Sequence, residues 1–191
     1  MTATAQQDVV DLLLEQHNRI KELLAAVRNG QGAAKRDAFA DLVRLLAVHE
    51  SAEEQVVHPR VRKAAADGAD RIVQARLDEE HEAKQVLSRL YDLGVDHPDF
   101  DGQFHPFAEA VLAHATHEET DEFPRLRETL PPERLRRMAG AVKAAESLAP
   151  TRPHPMAGES RAGNLLAGPP MAIFDRARDR MREWRQANPD H

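Results

Sequence analysis

Cysteine is absent from this chain of 191 residues, which excludes disulfides, thiolate metal sites and cysteine nucleophiles. Any metal must therefore be held by nitrogen and oxygen donors. Aromatic residues make up only 4% of the chain, while Ala, Leu, Val, Glu and Arg are abundant, a balance that favours helix. No alternating strand pattern stands out. A basic excess is missing too: the formal net charge is -6, which gives no support to a nucleic-acid role. No run approaches the roughly 18 apolar residues of a membrane span. The N-terminal stretch lacks the charged-then-apolar pattern of a signal segment, so the cytosol is the expected location. What remains is ordinary for a soluble globular protein, 41% hydrophobic and 30% charged, with length for one domain and an appendage.

Apolar residues recur at helical spacing along most of the chain. Val10, Leu13, Leu14, Ile20, Leu24 and Val27 form one face of a first helix over 9–28, ended by Gly30 and Gly32. Asp37 can cap a second, whose stripe runs Leu42, Leu45, Leu46, Val56, Val57 and Val61, with a kink or early end expected at Pro59. Asp70 can cap a third, with Val73, Leu77, Val86, Leu87 and Leu90 inward and Gly94 at its end. A fourth is expected from about Pro106, through Phe107, Val111 and His114, to about Phe123 and Pro124. A shorter fifth follows Pro131 and Pro132, with Leu135, Met138, Val142 and Leu148 on its stripe. The chain thus divides into an all-α unit over 1–149, a Pro/Gly-rich loop over 150–170 and an amphipathic helix over 171–191. That last helix places Phe174, Met181 and Trp184 on one side, with arginines around them. It could grip a membrane or an acidic partner, but Asp175, Asp179 and Glu183 dilute its charge. Docking on its own bundle, or on a second subunit in a homodimer, is the expectation.

Two segments repeat. His49, Glu53, Glu54 and Pro59 match His114, Glu118, Glu119 and Pro124 position for position. Each is preceded by a histidine, His17 and His81, lying 32 and 33 residues upstream, so a helix pair occurs twice at an offset of 64 or 65. Four residues along a helix turn about 400°, so His49 and Glu53 project within roughly 40° of each other, one turn apart. The same holds for His114 and Glu118. Leu42, Leu45 and Leu46 precede His49 at -7, -4 and -3, Phe107, Ala110 and Val111 precede His114, and Val10, Leu13 and Leu14 precede His17, which puts these three histidines on the inward stripes.

A charged glutamate among such residues is costly unless something neutralises it. A metal pair does so: Glu53 and Glu118 can each bridge two cations, and His17, His49, His81 and His114 then supply two nitrogens per ion. Positions stay open for an oxo, hydroxo or small-molecule ligand. Mixed imidazole and carboxylate ligation suits iron best, with manganese or zinc as alternatives. A lone histidine on an apolar face is ordinarily a hydrogen-bonded core residue, and paired acids are ordinarily a solvated face. Four inward histidines and two such pairs at matching offsets fit coincidence badly.

Other residues are less determined. Glu50 lies about 100° around the helix from His49 and is either an additional ligand to one ion or exposed. Glu54 and Glu119 point roughly 140° from their histidines, toward second-layer or surface roles. His117 is a spare ligand or, better, exposed; His58 counts out to the face opposite His49. His97, His105, His154 and His191 fall in loops or at the terminus.

These residues resemble the hemerythrin-like family, the HHE cation-binding domains, over about 130 of the 191 residues. The tail around Asn164 to Pro170 and Asp175 to Asp179 also resembles extensions of actinobacterial members. The resemblance implies an up-down-up-down four-helix bundle, here with extra C-terminal helices, around a non-haem di-iron centre that meets hydrogen peroxide, dioxygen or nitric oxide. Oxygen-carrying members place a second histidine one turn from the third-helix histidine, where this chain has Leu77 and Gln85, and an aspartate where it has Glu118. The site looks more like the subgroup tied to peroxide handling or to iron and redox sensing. The expectation is therefore a catalase-like di-iron oxidoreductase, with non-enzymatic binding or sensing of dioxygen, nitric oxide or iron as the alternative and a purely structural metal as a third.

Overall fold

The structure, a computed structural model, describes residues 7–64, 69–146 and 170–187. Helix accounts for nearly all of them, and no strand occurs among the described residues. Four rods form an up-down-up-down bundle. The first is α1 (Val9–Asn29). In the second, α2 (Gly32–Ala52) runs through a π turn (Glu53–Val57) into α3 (His58–Ala64). The third is α4 (Ala69–Leu93). In the fourth, α5 (Phe100–His117) runs through a second π turn (Glu118–Glu122) into α6 (Phe123–Thr129). Two further helices follow, α7 (Pro132–Glu146) and α8 (Pro170–Ala187).

Amphipathic stripes put these rods together. Val10, Leu13, Ile20, Leu24 and Val27 of α1 are buried, facing Leu42, Leu45 and Leu46 of α2. α1 also packs on α5, and α4 lies between α5 and α3. Asp8 caps α1 by a reciprocal pair of hydrogen bonds with Asp11, and Arg127 of α6 reaches Asp11 at 2.6 Å, tying the first rod to the end of the fourth. Gly94 ends α4 with φ +80°, a backbone shape that a side chain would strain.

Three helix starts differ from expectation or sharpen it. α5 begins at Phe100, so Pro106 lies inside it. An internal proline costs roughly 3 kcal/mol, but Phe100, Phe104 and Phe107 bury their rings on one face, each contributing about 1.5–3 kcal/mol. α2 begins at Gly32 because Ala33 and Ala34 extend it readily and buried Lys35 pairs with Asp101 of α5 at 2.6 Å. α8 begins at Pro170 and packs on α2, α4 and α7 of its own bundle, burying Ile173, Phe174, Ala177 and Met181. The rest of the expected loop, residues 150–169, lies outside the described residues, as do Leu148, His154, His191 and the side chain of Trp184.

The few aromatics are concentrated. Phe39, Phe100, Phe104 and Phe107 stack and cross at one end of the bundle, with neighbouring ring centroids 5.2–6.4 Å apart. Phe123 and Phe174 stand apart, beside the polar centre described next.

Candidate metal centre

Each rod contributes buried polar side chains to one level of the bundle. α1 brings Gln16 and His17, and the second rod brings His49, Glu50, Glu53 and His58. α4 brings Glu80 and Lys84, and the fourth rod brings His114, Glu118 and Glu122. Their donor atoms fall into overlapping groups, each with all atoms within 4.8 Å of one another: His17, His49, Glu53 and Glu118; Glu50, Glu53, Glu80 and His114; and His58, Glu80 and Glu118.

The two π turns make this convergence. In a regular helix the ring of Pro59 would collide with the carbonyl of residue 55, and that of Pro124 with residue 120. The chain widens there instead, with His58 N–H donating to the Glu53 carbonyl and Phe123 N–H to the Glu118 carbonyl, five residues back. One extra residue in the turn takes back about 100° of rotation. His58, nine residues from His49 and expected on the opposite face, is thereby brought to within about 80° of it and becomes buried.

Hydrogen bonds fix the rings. Gln16 donates its amide to Glu146 at 2.7 Å, so its carbonyl oxygen faces His49 Nδ1 at 2.9 Å and accepts from it. Glu119 accepts from His17 Nδ1 at 2.8 Å, and Glu79 from His114 Nδ1 at 2.9 Å. Both carboxylates have their own cation, Lys21 at 3.2 Å and Arg76 at 2.8 Å. With protons committed to Nδ1, three Nε2 atoms turn inward. His17 Nε2 and His49 Nε2 then stand 3.0 Å apart, lone pair toward lone pair. Phe123 stacks on His17 at 5.5 Å and holds the ring in place.

Nothing in the protein answers these lone pairs. His114 Nε2, both carboxylate oxygens of Glu53 and of Glu118, and Glu50 Oε2 are buried without a hydrogen-bond partner. Glu118 faces His17 Nε2 and His114 Nε2 at 3.3 Å each, contacts that are repulsive unless a proton or a cation stands between the two atoms. Such a set of converging, unanswered acceptors fits cations. His58 lies between two carboxylates, its Nε2 2.6 Å from Glu80 and its Nδ1 3.3 Å from Glu122, and together they favour the charged form of the ring.

Titration behaviour follows from the crowding. Burial, then Glu80, pushes Glu50 up to about 8. Burial, then Glu118 and Glu50, holds Glu53 well above the usual carboxylate range. Burial and His17 hold His49 well below its ordinary value. Burial opposes charge on His114 and His58, yet the carboxylates around them win, Glu118 and Glu79 raising His114 to about 11 and Glu122 and Glu80 raising His58 to about 10. Without a cation, a proton takes its place on His114 Nε2.

Of the residues singled out in the sequence, the structure brings together His17, His49, Glu53, His114 and Glu118, and it buries Glu50 beside them. His81 is a correction. It is exposed on the outer side of α4, its Nε2 2.7 Å from the amide of Gln85, and it belongs to none of the donor groups. α4 is turned so that Val73, Glu80, Lys84 and Leu87 face in, and Glu80 stands where the fourth histidine was expected. Glu80 had a readable signal: it lies seven residues from both Val73 and Leu87, on their stripe. Glu54 and Glu119 do act from the second layer, on Lys84 and His17. His117 and His97 are exposed, as is His105, which lies on α5 and not in the loop expected for it.

The same architecture is found in known proteins. A hemerythrin HHE cation binding domain-containing protein from Mycobacterium kansasii superposes with a TM-score of 0.69 at 19% identity, covering 90% of this chain and 99% of that one. An uncharacterized hemerythrin-like protein of Schizosaccharomyces pombe is 26% identical over 139 residues, 73% of this chain and 68% of that protein. A protein of Nostoc sp. named DNA nickase is 28% identical over 141 residues, 73% of this chain but only 39% of the relative. The Hemerythrin HHE cation binding domain family matches residues 8–126, a span that takes in all four rods and every buried donor of the centre, and the chain belongs to that family.

Proposed function

We propose that the centre holds two iron ions and that the protein reacts with hydrogen peroxide or a similar small oxidant. The observation that carries this reading is the pair of donor groups sharing Glu53, one centred on His17 and His49, the other on His114, Glu50 and Glu80. Glu118, within 3.3 Å of both His17 and His114, is a second carboxylate able to serve both positions. Charge supports more than one ion. Once ligation has removed the protons of Glu50, Glu53 and His114, five buried carboxylates, Glu50, Glu53, Glu80, Glu118 and Glu122, face the two cations Lys84 and His58, leaving three negative charges that a single divalent ion does not meet. Nitrogen and oxygen donors without sulfur suit iron, with manganese or zinc as alternatives.

A bound iron pair supplies redox equivalents and coordination positions that a small oxidant can occupy. The residues of the chain supply the rest. Glu119, Gln16 and Glu79 hold three imidazoles in the tautomer whose Nε2 faces inward. Phe123 and the leucines of the stripes keep bulk water from the ring faces. His58 holds Glu80 at 2.6 Å and faces Glu122 at 3.3 Å. With the four carboxylates Glu50, Glu53, Glu80 and Glu118 against three ligating imidazoles, the centre is richer in oxygen donors than four histidines and two glutamates would make it, which favours the higher oxidation states that peroxide chemistry visits.

Peroxide consumption by the iron-loaded protein, compared with His114→Ala, tests the reading. Turnover in the former and its loss in the latter is expected; equal and negligible consumption in both sinks it. The alternative, binding or sensing of dioxygen, nitric oxide or iron without turnover, is favoured if the loaded protein gives a ligand-dependent optical change yet consumes no peroxide. An acidic chain of net charge -6 gives no support to phosphodiester binding, so the nickase name of the Nostoc relative is not carried over.

A further inference from the structure

The two halves of the repeat are not equal, and one of the differences is a lysine. At an offset of 64, Val9, Leu13, Gln16, Ile20 and Leu23 of α1 correspond to Val73, Leu77, Glu80, Lys84 and Leu87 of α4. Where the first half buries Ile20, the second buries the ammonium of Lys84. Lys84 Nζ lies 3.3 Å from Glu80 Oε2 and 4.0 Å from Glu50 Oε2, and it makes a short ion pair with Glu54. Glu50 and Glu80 both belong to the donor group around His114. Glu54 does not.

The rest of the Lys84 environment is apolar and comes partly from the C-terminal helix. Leu46, Leu87, Phe107 and Phe174 line the small cavity beside it, and its ammonium sits 5.1 Å from the centre of the Phe174 ring. Arg178 of α8 holds the other oxygen of Glu54 at 3.1 Å, so Glu54 is fixed between Arg178 and Lys84. Ser51 donates to the Phe174 carbonyl at 3.4 Å, adding a polar tie between α2 and α8. The ammonium is therefore placed by Glu54, Phe174 and Arg178, while its charge falls on the carboxylates of the His114 position.

We infer that Lys84 is a positioning residue of the metal centre, a resident cation that shares Glu50 and Glu80 with the ion at the His114 position and makes the two ion positions unequal. The position between His17 and His49 has no such competitor and fills first. The second position fills against the repulsion of Lys84, tempered because Glu54, braced by α8, draws the ammonium to one side. In low-dielectric surroundings a unit charge within a few ångströms of the ion is not screened away. This inference rests on the two-ion reading above, and its test separates the two.

Anaerobic calorimetric titration of the metal-free full chain with Fe(II) gives the readout, with no need of turnover. The wild-type protein should show two steps, the second at least tenfold weaker than the first. Lys84→Met, whose side chain suits the apolar surroundings, should tighten the second step at least tenfold and shift the first less than about threefold. Glu54→Gln, which releases the ammonium toward Glu50 and Glu80, should weaken the second step, the opposite sign. If Lys84→Met does not fold, Glu54→Gln carries the test. A Lys84→Met protein that folds and shows the second step unchanged or weaker, or a Glu54→Gln protein with an unmoved second step, overturns the role of Lys84 and leaves the two-ion centre standing. A wild-type chain that takes up no second ion overturns the centre and this inference with it.

Discussion

Glu53 shows at residue scale what the centre demands. Its carboxyl is fully buried, accepts no hydrogen bond and is pushed well above the usual range by burial and by Glu118 and Glu50. In metal-free protein this favours its protonated form, and Glu53→Gln should change little: the metal-free melting temperature should stay level or rise, because glutamine carries no charge to bury. The gain in melting temperature on adding iron should vanish in the same variant. A metal-free Glu53→Gln protein that melts well below the wild type would contradict this. His81→Ala is the complementary measurement. Because His81 is exposed and outside the donor groups, its loss should leave the iron content of purified protein unchanged, whereas His17→Ala or His114→Ala should lower it. Proton traffic gives a third. At pH 7 the metal-free centre holds protons on Glu50 (about 8), on Glu53 and on His114 (about 11), all of which block ligation. Ion uptake must expel them, so affinity rises with pH through about 8, where Glu50 gives up its proton, and on toward about 11, where His114 does, and calorimetry in buffers of different ionisation heat should report about two or more protons released at pH 7. No buffer dependence would refute the assignment.

At the scale of helices, the π turns and α8 carry the departures from regularity. The stripes of Val10, Leu13 and Ile20, of Leu42, Leu45 and Leu46, and of Leu135, Met138 and Val142 were legible because each is a straight α-helix with a period of 3.6. The repeated His, Glu and Pro were legible for the same reason, and they located His17, His49, Glu53, His114 and Glu118. His58, Glu80 and Glu122 were not read. Counting at 100° per residue carries His58 to the wrong face once a π turn intervenes, and a repeat offset cannot fix how far α4 is rotated about its axis. The prolines ten residues after each histidine did mark the irregularity, but Pro59 as a kink or early end and Pro124 as the end of its helix, where the rod instead widens and continues to Thr129. α8 was read as amphipathic, and its docking can be measured. Phe174 is buried against α2 and α4 and packs beside Lys84, so Phe174→Ala should cost about 3–5 kcal/mol in urea denaturation. A loss below about 1 kcal/mol would mean that α8 is not held as described.

For the whole molecule, the bundle is a near-twofold repeat that burial of charge has made asymmetric. An apolar end built on Phe39, Phe100, Phe104 and Phe107 supplies packing, and the opposite level holds carboxylates that no protein donor satisfies. Such a level weakens the fold until ions fill it, so cation binding and stability are one equilibrium. An ion present at a hundred times its dissociation constant adds about 2.7 kcal/mol to the stability of the folded state. For a chain of 191 residues, where 1 kcal/mol moves the melting temperature by roughly 2–4 °C, that is a rise of about 5–10 °C per ion. Calorimetric melts of chelator-treated and iron-loaded protein should therefore separate by at least that interval, and adding back iron should restore the upper value. Coincident melts, with iron demonstrably bound in one sample, would mean that the carboxylates find protons good enough to replace the ions, and the electrostatic case for the centre would fail.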